Sequence, residues 1–387
     1  MSARLNLSAV AALAICLAAH AGASELAVRF HPADQVWAHP LESARSIHAV
    51  LVHNTALVNR GSEPVTVSAV ELQALRAGAV VSTVRLDAAA LDGMARQGGA
   101  LVESGMLEVL DFQFAPATLL GEAPQLSATR TLAPGAALLL LQQFLSYKGE
   151  ADRLRVTVQI ADSADRPTGE LAIRHGAAGR FRFPLEGRWF LGAGATPHSH
   201  HRWAVPEEFA LDLVQIGAGG KSHRGDGTRM EDYYAYGAKV LAIATGEVVK
   251  VHDGEADNVG MLRRPTEALA DYQRRLMAGQ GELLNAGVDA IAGNHVVIRH
   301  ADGVHGVYAH LKPGSLKVAV GDMVAVGQQI AGLGGSGNST EPHLHFHLCD
   351  AARALHCNGL PVEFDNIEIP WSDGPRGLQS GDIVLTR

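Results

Sequence analysis

His343 and His345 are separated by a single residue in the segment Pro-His-Leu-His-Phe-His at 342–347. In a β-strand, residues i and i+2 point to the same face, so both imidazoles would share one space while Leu344 and Phe346 face the other way. Two imidazoles in one space suit a metal ion, and a histidine pair beside a zinc-bound water suits hydrolysis. The pair therefore predicts a metal-dependent hydrolytic site.

A single carboxylate stands in an otherwise apolar predicted strand. Asp212 lies in Phe-Ala-Leu-Asp-Leu-Val-Gln-Ile at 209–216. An unpaired buried charge would be costly there, so Asp212 needs a partner or a metal. Upstream, His198, His200 and His201 could each approach it. A buried aspartate that caps a loop or pairs with an arginine is the alternative interpretation.

The elements that would position these groups follow a boundary loop at 192–197, after which glycines and histidines become frequent. The predicted strands separated by glycine turns are 240–244, 247–251, 295–300 and 304–310. His310 ends the last strand, where a lone histidine would ordinarily be half-exposed. Residues 253–293 interrupt the pattern. We interpret them as an insertion whose helix either overhangs the site or decorates the surface.

Residues 24–185 are predicted to be all-β. Leu154, Val156, Val158 and Ile160 alternate with polar residues, as expected of half-buried strands. Short strands at this spacing predict an immunoglobulin-like β-sandwich, with a short helix at Asp87–Arg96 on its edge. We interpret this half of the chain as a packing or spacer domain.

Composition limits the class of protein. The chain has 387 residues, of which 47% are hydrophobic and 19% charged, so it is globular. Its formal charge of −8 argues against binding to nucleic acid.

Residues 1–23 resemble a secretory signal peptide, in which Arg4 precedes an apolar stretch from Leu7 to Ala19. That stretch is short for a bilayer span, and an uncleaved anchor is the alternative. We therefore predict an exported protein, periplasmic or extracellular, without stable membrane insertion after cleavage.

Cysteine usage fits export. Cys16 would leave with the signal peptide, so Cys349 and Cys357 remain. An even pair in an exported chain predicts a disulfide, with two free thiols as the alternative.

Several motifs follow one another in order through the C-terminal half. They are Gly-Asn-His-Val-Val-Ile-Arg-His at 293–300, Tyr-Ala-His-Leu at 308–311, Gly-Asn-Ser-Thr at 337–340 and His-Leu-His-Phe at 343–346. This series resembles the lysostaphin-type (LytM-like) peptidoglycan zinc metalloendopeptidase family over about residues 198–370. The resemblance implies a mainly β chain whose residues 186–387 form an antiparallel β-sheet peptidase domain, a duplicated hybrid motif, with the insertion 253–293.

Carried over position by position, the resemblance implies that Zn²⁺ is bound by His201, Asp212 and His345. The two catalytic histidines fall on His310 and His343. It further implies that a zinc-bound water attacks the scissile carbonyl of a peptidoglycan cross-link while these two histidines exchange protons. Which of them is the base stays open.

The first ligand departs from the family pattern. Members often have a short His-x-x-x-Asp spacing, whereas His201 and Asp212 are eleven positions apart, similar to a longer version in some relatives. His200 is therefore an alternative, as is His223 together with Asp232. Asp212 is preferred because its strand is apolar, whereas Asp232 lies in a polar loop.

The implied partners are peptidoglycan stem peptides and, as a further expectation, a regulatory partner. The alternative function is a non-catalytic cell-wall binding protein or amidase regulator on the same fold, which the loss of a ligand would favour. An enzyme acting on a protein substrate stays open. The ordered motifs argue against an exported adhesin with incidental histidines.

Overall fold

The computed structural model describes residues 25–41, 46–121, 125–372 and 376–387. Strands predominate over helices in these ranges, which confirms the predicted mainly β class. The predicted signal peptide at 1–23 and Cys16 lie outside the described residues. Within the described part of the chain, no helix combines the length and apolar character needed to cross a membrane.

The N-terminal part, residues 25–174, is built from two sheets. Its strands are β1 (Leu26–His31), β2 (Gln35–Trp37), β3 (His39–Pro40), β4 (Ile47–Asn59), β5 (Val65–Arg76), β6 (Ala79–Leu86), β7 (Gln125–Leu126), β8 (Thr131–Leu132), β9 (Ala136–Lys148), β10 (Arg153–Ile160) and β11 (Thr168–Arg174). One sheet has the order β1-β4-β9-β7 with β3 on β4, and the other has the order β2-β11-β10-β5-β6 with β8 on β5.

Apolar side chains from both sheets form one shared core, among them Val52 of β4, Leu72 of β5 and Val156 of β10. Alternation along β10 sends every second residue inward, as the sequence predicts. We call this part the N-terminal sandwich. Its immunoglobulin-like type stays a prediction.

Four helices connect β6 to β7. The first packs Leu91 and Ala95 into the shared core, and the later ones cover the outer face of the first sheet. The four helices are α1 (Ala88–Glu103), α2 (Met106–Val109), α3 (Asp111–Phe114) and α4 (Pro116–Leu120). The Asp87 side chain caps α1 by accepting the Ala90 N–H at 2.9 Å, a typical helix start. The predicted helix is thus confirmed and extends further. Leu107 and Phe114 pack against Ala56 of β4 in a second core.

The C-terminal part, residues 180–387, is organised around one long antiparallel sheet. Its strands are β12 (Arg180–Phe181), β13 (Arg188–Ala193), β14 (Leu211–Val214), β15 (Lys239–Leu241), β16 (Gly246–His252), β17 (His295–Arg299), β18 (His305–Ala309), β19 (Met323–Val324), β20 (Gln329–Gly332), β21 (Leu344–Cys349), β22 (Gly359–Leu360), β23 (Glu363–Phe364), β24 (Ile367–Glu368) and β25 (Ile383–Thr386). Ten of these strands form the long sheet, in the order β19-β16-β17-β18-β21-β14-β13-β25-β24 with β22 on β21. The other four form two separate pairs, β12 with β23 and β15 with β20. The strands predicted between 240 and 310 are confirmed as β15 to β18.

Two features sit beside this sheet. Between β16 and β17, the insertion forms α5 (Leu269–Ala286) and α6 (Val288–Ala292), which confirms the predicted helix. Cys349, at the end of β21, is joined to Cys357 by a disulfide, as the even cysteine pair predicted.

Candidate active site

The strand β21 alternates strictly between core and site. Leu344, Phe346 and Leu348 lie in the core of the C-terminal part, so His345 projects to the opposite face together with His343 and His347. This confirms the predicted alternation of the two faces.

Strand register brings the other site residues next to β21. In the antiparallel pairing, Asp212 of β14 lies directly opposite His345, and Ala309 of β18 lies opposite His345 on the other side. His310 follows Ala309 and therefore emerges at the same level of the sheet.

Asp212 is the centre of a buried polar cluster. Its Oδ2 lies 2.8 Å from Nε2 of His201, and its Oδ1 lies 3.1 Å from Nδ1 of His345 and 3.4 Å from Nε2 of His343. The structure thus brings the predicted ligands together with one of the predicted catalytic histidines.

The alternative first ligands are placed differently. Nε2 of His200 is 3.9 Å from Asp212, and its side chain is 75% exposed, whereas the His201 side chain is 8% exposed. His223 packs beside Tyr233, and Asp232 accepts a hydrogen bond from Arg229. Geometry therefore favours His201 over the alternatives.

The two histidines predicted to be catalytic share a hydrogen-bonding pattern. Nδ1 of His310 lies 2.9 Å from the Ser336 carbonyl, and Nδ1 of His343 lies 2.8 Å from the Glu341 carbonyl. A carbonyl only accepts, so each Nδ1 carries a proton. Burial lowers the pKa of His310, which leaves its Nε2 as an acceptor. Burial acts to lower the pKa of His343 as well, but Asp212, 3.4 Å from Nε2 of His343, raises it. The ring centroids are 4.8 Å apart.

The backbone at His310 is unusual. Its φ of +58° lies in the left-handed region, which a non-glycine residue rarely adopts. The His310 N–H donates to the Ala292 carbonyl at 3.1 Å, and its carbonyl accepts from the Gly334 N–H at 3.0 Å. These bonds hold the sharp turn that directs the imidazole towards His343.

Glu207 is a site residue that the sequence interpretation missed. Its carboxylate lies 3.5 Å from Nδ1 of His201 and 3.6 Å from Nε2 of His345, the two ring nitrogens that face away from Asp212. A carboxylate behind a metal-binding imidazole fixes its tautomer and orientation. The signal was the charged pair Glu207-Glu208 within the segment between His201 and Asp212.

Charges within the cluster set the protonation of its members. Burial acts to raise the pKa of Asp212, but His201 and His343 outweigh it and hold that pKa well below its usual range. Burial acts to lower the pKa of His201, but Asp212 and Glu207 raise it to about 10. Burial, reinforced by His343, lowers the pKa of His310 well below its usual value.

The donor chemistry fits a zinc ion. Two imidazole nitrogens and a carboxylate converge, and each short contact between His201, Asp212 and His345 needs a proton that a cation would replace. Donor atoms of His201, Glu207 and His345 also lie within 4.8 Å of one another. Glu207 places its charge beside both imidazoles, while His347, whose Nδ1 lies 3.0 Å from Nε2 of His345, orients that ring.

Comparison with known proteins finds a family match over part of the chain. Residues 276–357 match the model of Peptidase family M23. This segment of the chain is therefore similar to M23 peptidases. The matched segment includes His310, His343 and His345, whereas His201 and Asp212 precede it.

Curated relatives match stretches of about a quarter of the chain. The peptidoglycan DD-endopeptidase ShyC of Vibrio cholerae is 36% identical over 86 residues, which is 22% of this chain and 19% of that protein. The DD-carboxypeptidase/endopeptidase Mpg of Neisseria meningitidis is 35% identical over 102 residues, covering 24% and 21%. The chain thus spans about a fifth of the length of these relatives.

Solved structures of M23 proteins also match. The catalytic domain of lysostaphin from Staphylococcus simulans aligns over 45% of this chain and 88% of its own length, with 20% identity and a TM-score of 0.24. The deep-sea M23 metalloprotease pseudoalterin aligns over 50% and 82%, with 16% identity and a TM-score of 0.28.

The site opens into a groove of about 790 Å³ that other parts of the chain help to line. Asn338 and Thr340 of the loop 335–340 contribute one wall. Gln280 and Leu284 of the insertion helix α5 also line it, so the helix overhangs the site. The residues of the N-terminal sandwich that line the groove include Gln97, Leu101, Phe112 and Gln142. The spacer interpretation of that domain was therefore incomplete.

Proposed function

We propose that this protein is an exported zinc metalloendopeptidase that hydrolyses peptide cross-links of peptidoglycan. The observation that carries the proposal is the cluster in which Asp212 contacts both His201 and His345, with His310 and His343 facing the same groove. Peptidase chemistry needs a polarised carbonyl, an activated water and a proton for the leaving amine, and this set of groups can supply all three.

His201, Asp212 and His345 would hold the zinc ion. A zinc ion bound there would supply Lewis acidity, which polarises a carbonyl and lowers the pKa of water. In both His310 and His343, Nδ1 donates to a backbone carbonyl, so Nε2 is the nitrogen that is left for proton exchange. Each can therefore take up a proton at Nε2, and once protonated can donate it to the leaving amine or stabilise an oxyanion.

The proposed substrate class rests on the relatives. ShyC and Mpg are named as peptidoglycan DD-endopeptidase and DD-carboxypeptidase/endopeptidase, so stem peptides of peptidoglycan are the natural candidates for the groove. Such a substrate lies outside the cytoplasm, which agrees with the signal peptide predicted at 1–23 and with periplasmic or extracellular action. A regulatory partner remains a prediction.

Zinc content and peptidoglycan digestion test the proposal together. Purified mature protein should carry about one zinc per chain, and it should release cross-linked stem peptides from purified peptidoglycan unless a chelator is present. Re-addition of Zn²⁺ after the chelator is removed should restore release.

Two outcomes would redirect the proposal. Bound zinc without cleavage of peptidoglycan would contradict the substrate class and direct the search to protein substrates. Absence of both zinc and cleavage would contradict the enzyme and favour a binding or regulatory role on the same fold.

A further inference from the structure

A segment of the C-terminal part carries the first metal-binding histidine into the site. We call residues 200–208 the ligand loop, because it includes His201 and also Glu207, which contacts both His201 and His345. His201 and Asp212 are separated by 11 positions, so the loop is long for a segment that must place one imidazole accurately.

Gln113 of the N-terminal sandwich forms two hydrogen bonds with the backbone of the ligand loop, one as donor and one as acceptor. Its side-chain Nε2 donates to the Trp203 carbonyl at 3.1 Å, and its Oε1 accepts the Val205 N–H at 2.7 Å. Because one amide serves as donor and acceptor, its orientation is determined. Gln113 is buried, and its own carbonyl accepts a hydrogen bond from the Asn54 side chain at 2.7 Å.

Gln142 adds a second hydrogen bond at the same point. Its Nε2 donates to the Trp203 carbonyl at 3.0 Å, so that carbonyl accepts from two side chains of the N-terminal sandwich. On the opposite side, the Val205 carbonyl accepts the Gly359 N–H of the C-terminal part at 3.1 Å. The middle of the loop is therefore held between the two parts of the chain.

The far end of the ligand loop is anchored through Glu208. Its carboxylate lies 3.2 Å from Nε2 of His39 and 3.0 Å from Nε2 of His53, both on the N-terminal sandwich. The His39 ring also stacks on Phe209, with centroids 4.6 Å apart. Glu207, next to this anchor, is thereby directed towards the two metal-binding imidazoles.

We propose that the N-terminal sandwich is a working part of the metal centre, in which Gln113 and Gln142 are positioning residues that hold the ligand loop so that His201 meets Asp212. This inference rests on the proposed zinc centre. It assigns to the sandwich a role that a spacer would not have, because removal of either amide should change metal affinity without touching a ligand.

Zinc affinity of single and double variants tests the inference. The variants are Gln113→Ala, Gln142→Ala and both together, with the Zn²⁺ dissociation constant measured by competition with a chromophoric chelator. We expect the double variant to bind Zn²⁺ at least tenfold more weakly, since outer partners of metal ligands typically contribute about 10–100-fold. Gln142 is exposed, so Gln142→Ala should fold even if Gln113→Ala does not.

The matched control is Asn59→Ala. Asn59 is a fully buried amide whose Nδ2 donates to the Glu63 and Leu132 carbonyls inside the same sandwich, away from the ligand loop. It should lower the stability of the sandwich and leave zinc affinity unchanged. An equal loss of affinity in this control would overturn the inference, as would unchanged affinity in the double variant.

Hydrogen exchange separates this inference from the proposed function. The backbone amides of residues 203–205, 207 and 208 should exchange faster in the double variant than in the wild type or in Asn59→Ala, whether or not metal is present. If the wild type binds no zinc, the zinc centre is refuted, and exchange alone decides whether the sandwich anchors the loop. Unchanged exchange would overturn the anchoring.

Discussion

Replacing Glu208 by Gln should destabilise the protein through the charge it leaves behind. Nη1 of Arg202 lies 3.0 Å from Oε1 of Glu208, and the Arg202 side chain is only 1% exposed. Among the described residues, the guanidinium has no aligned hydrogen-bond acceptor, so Glu208 is its main electrostatic compensation. Burial lowers the pKa of Arg202 to about 10, so the group stays charged at neutral pH.

The size of the effect follows from desolvation. Removing one partner of a buried ion pair typically costs about 3–5 kcal/mol, because the remaining charge is buried without compensation. In a domain of this size, 1 kcal/mol corresponds to roughly 2–4 °C in Tm. We therefore expect Glu208→Gln to lower Tm by roughly 6–20 °C, measured by circular dichroism and by urea unfolding.

Arg202→Met completes a double-mutant cycle with Glu208→Gln. If the cost arises from the stranded guanidinium, the double variant Arg202→Met/Glu208→Gln should be more stable than Glu208→Gln alone. The matched control is Glu170→Gln: Glu170 pairs with Arg155 at 2.7 Å and Arg153 at 2.9 Å, but at the surface. It should cost less than about 1 kcal/mol. A similar cost in both carboxylate variants, or no recovery in the double variant, would refute the reasoning.

Three further predictions concern the site, acid stability and the disulfide. His345→Ala should lose bound zinc, whereas His343→Ala should keep zinc and lose at least about 100-fold in hydrolysis; equal zinc content and full activity in either variant would contradict the assignment. Burial lowers the pKa of His295 to about 4, below its unfolded value, so its share of stability is present above pH 6.5 and lost as pH falls towards 4. The free energy of unfolding of His295→Asn should therefore fall less between pH 6.5 and pH 4 than that of the wild type, by up to about 3 kcal/mol. Urea unfolding at several pH values measures this, and an equal fall in both proteins would disprove it. Replacing Cys349 and Cys357 by Ser should cost about 2–3 kcal/mol by loop-closure entropy, which unfolding under non-reducing conditions would measure; no loss would contradict it.

The part of the site that the sequence predicts is the part that strand periodicity controls. Alternation in β21 puts His343 and His345 on one face, and the apolar run around Asp212 places that carboxylate in a neighbouring strand. Antiparallel register then sets Asp212 directly opposite His345. Period-2 patterns carry this information locally, so a single sequence is sufficient for it.

The support of the ligand loop could not be predicted in the same way. Gln113 meets Val205 across 92 positions, and His39 meets Glu208 across 169 positions. Such contacts depend on how the N-terminal sandwich and the C-terminal part dock. Neither Gln113 nor His39 lies in a periodic sequence pattern that would identify its partner. The two glutamates were visible as charges in an apolar segment, but only the docked structure shows what each one faces.

The buried cluster around Glu208 also explains why the two parts dock in one orientation. An apolar interface of similar shape could be as stable, since desolvation offsets much of the attraction in a buried ion pair. A shift of the sandwich by a few ångströms, however, would separate Glu208 from His39 and His53 and leave buried polar groups without partners. In the observed orientation Glu208 contacts both imidazoles, and Gln113 also reaches Trp203 and Val205. The polar interface therefore stabilises the docked arrangement in which Gln113 holds the ligand loop. The zinc affinity of the Gln113 and Gln142 variants tests whether the metal centre depends on that contact.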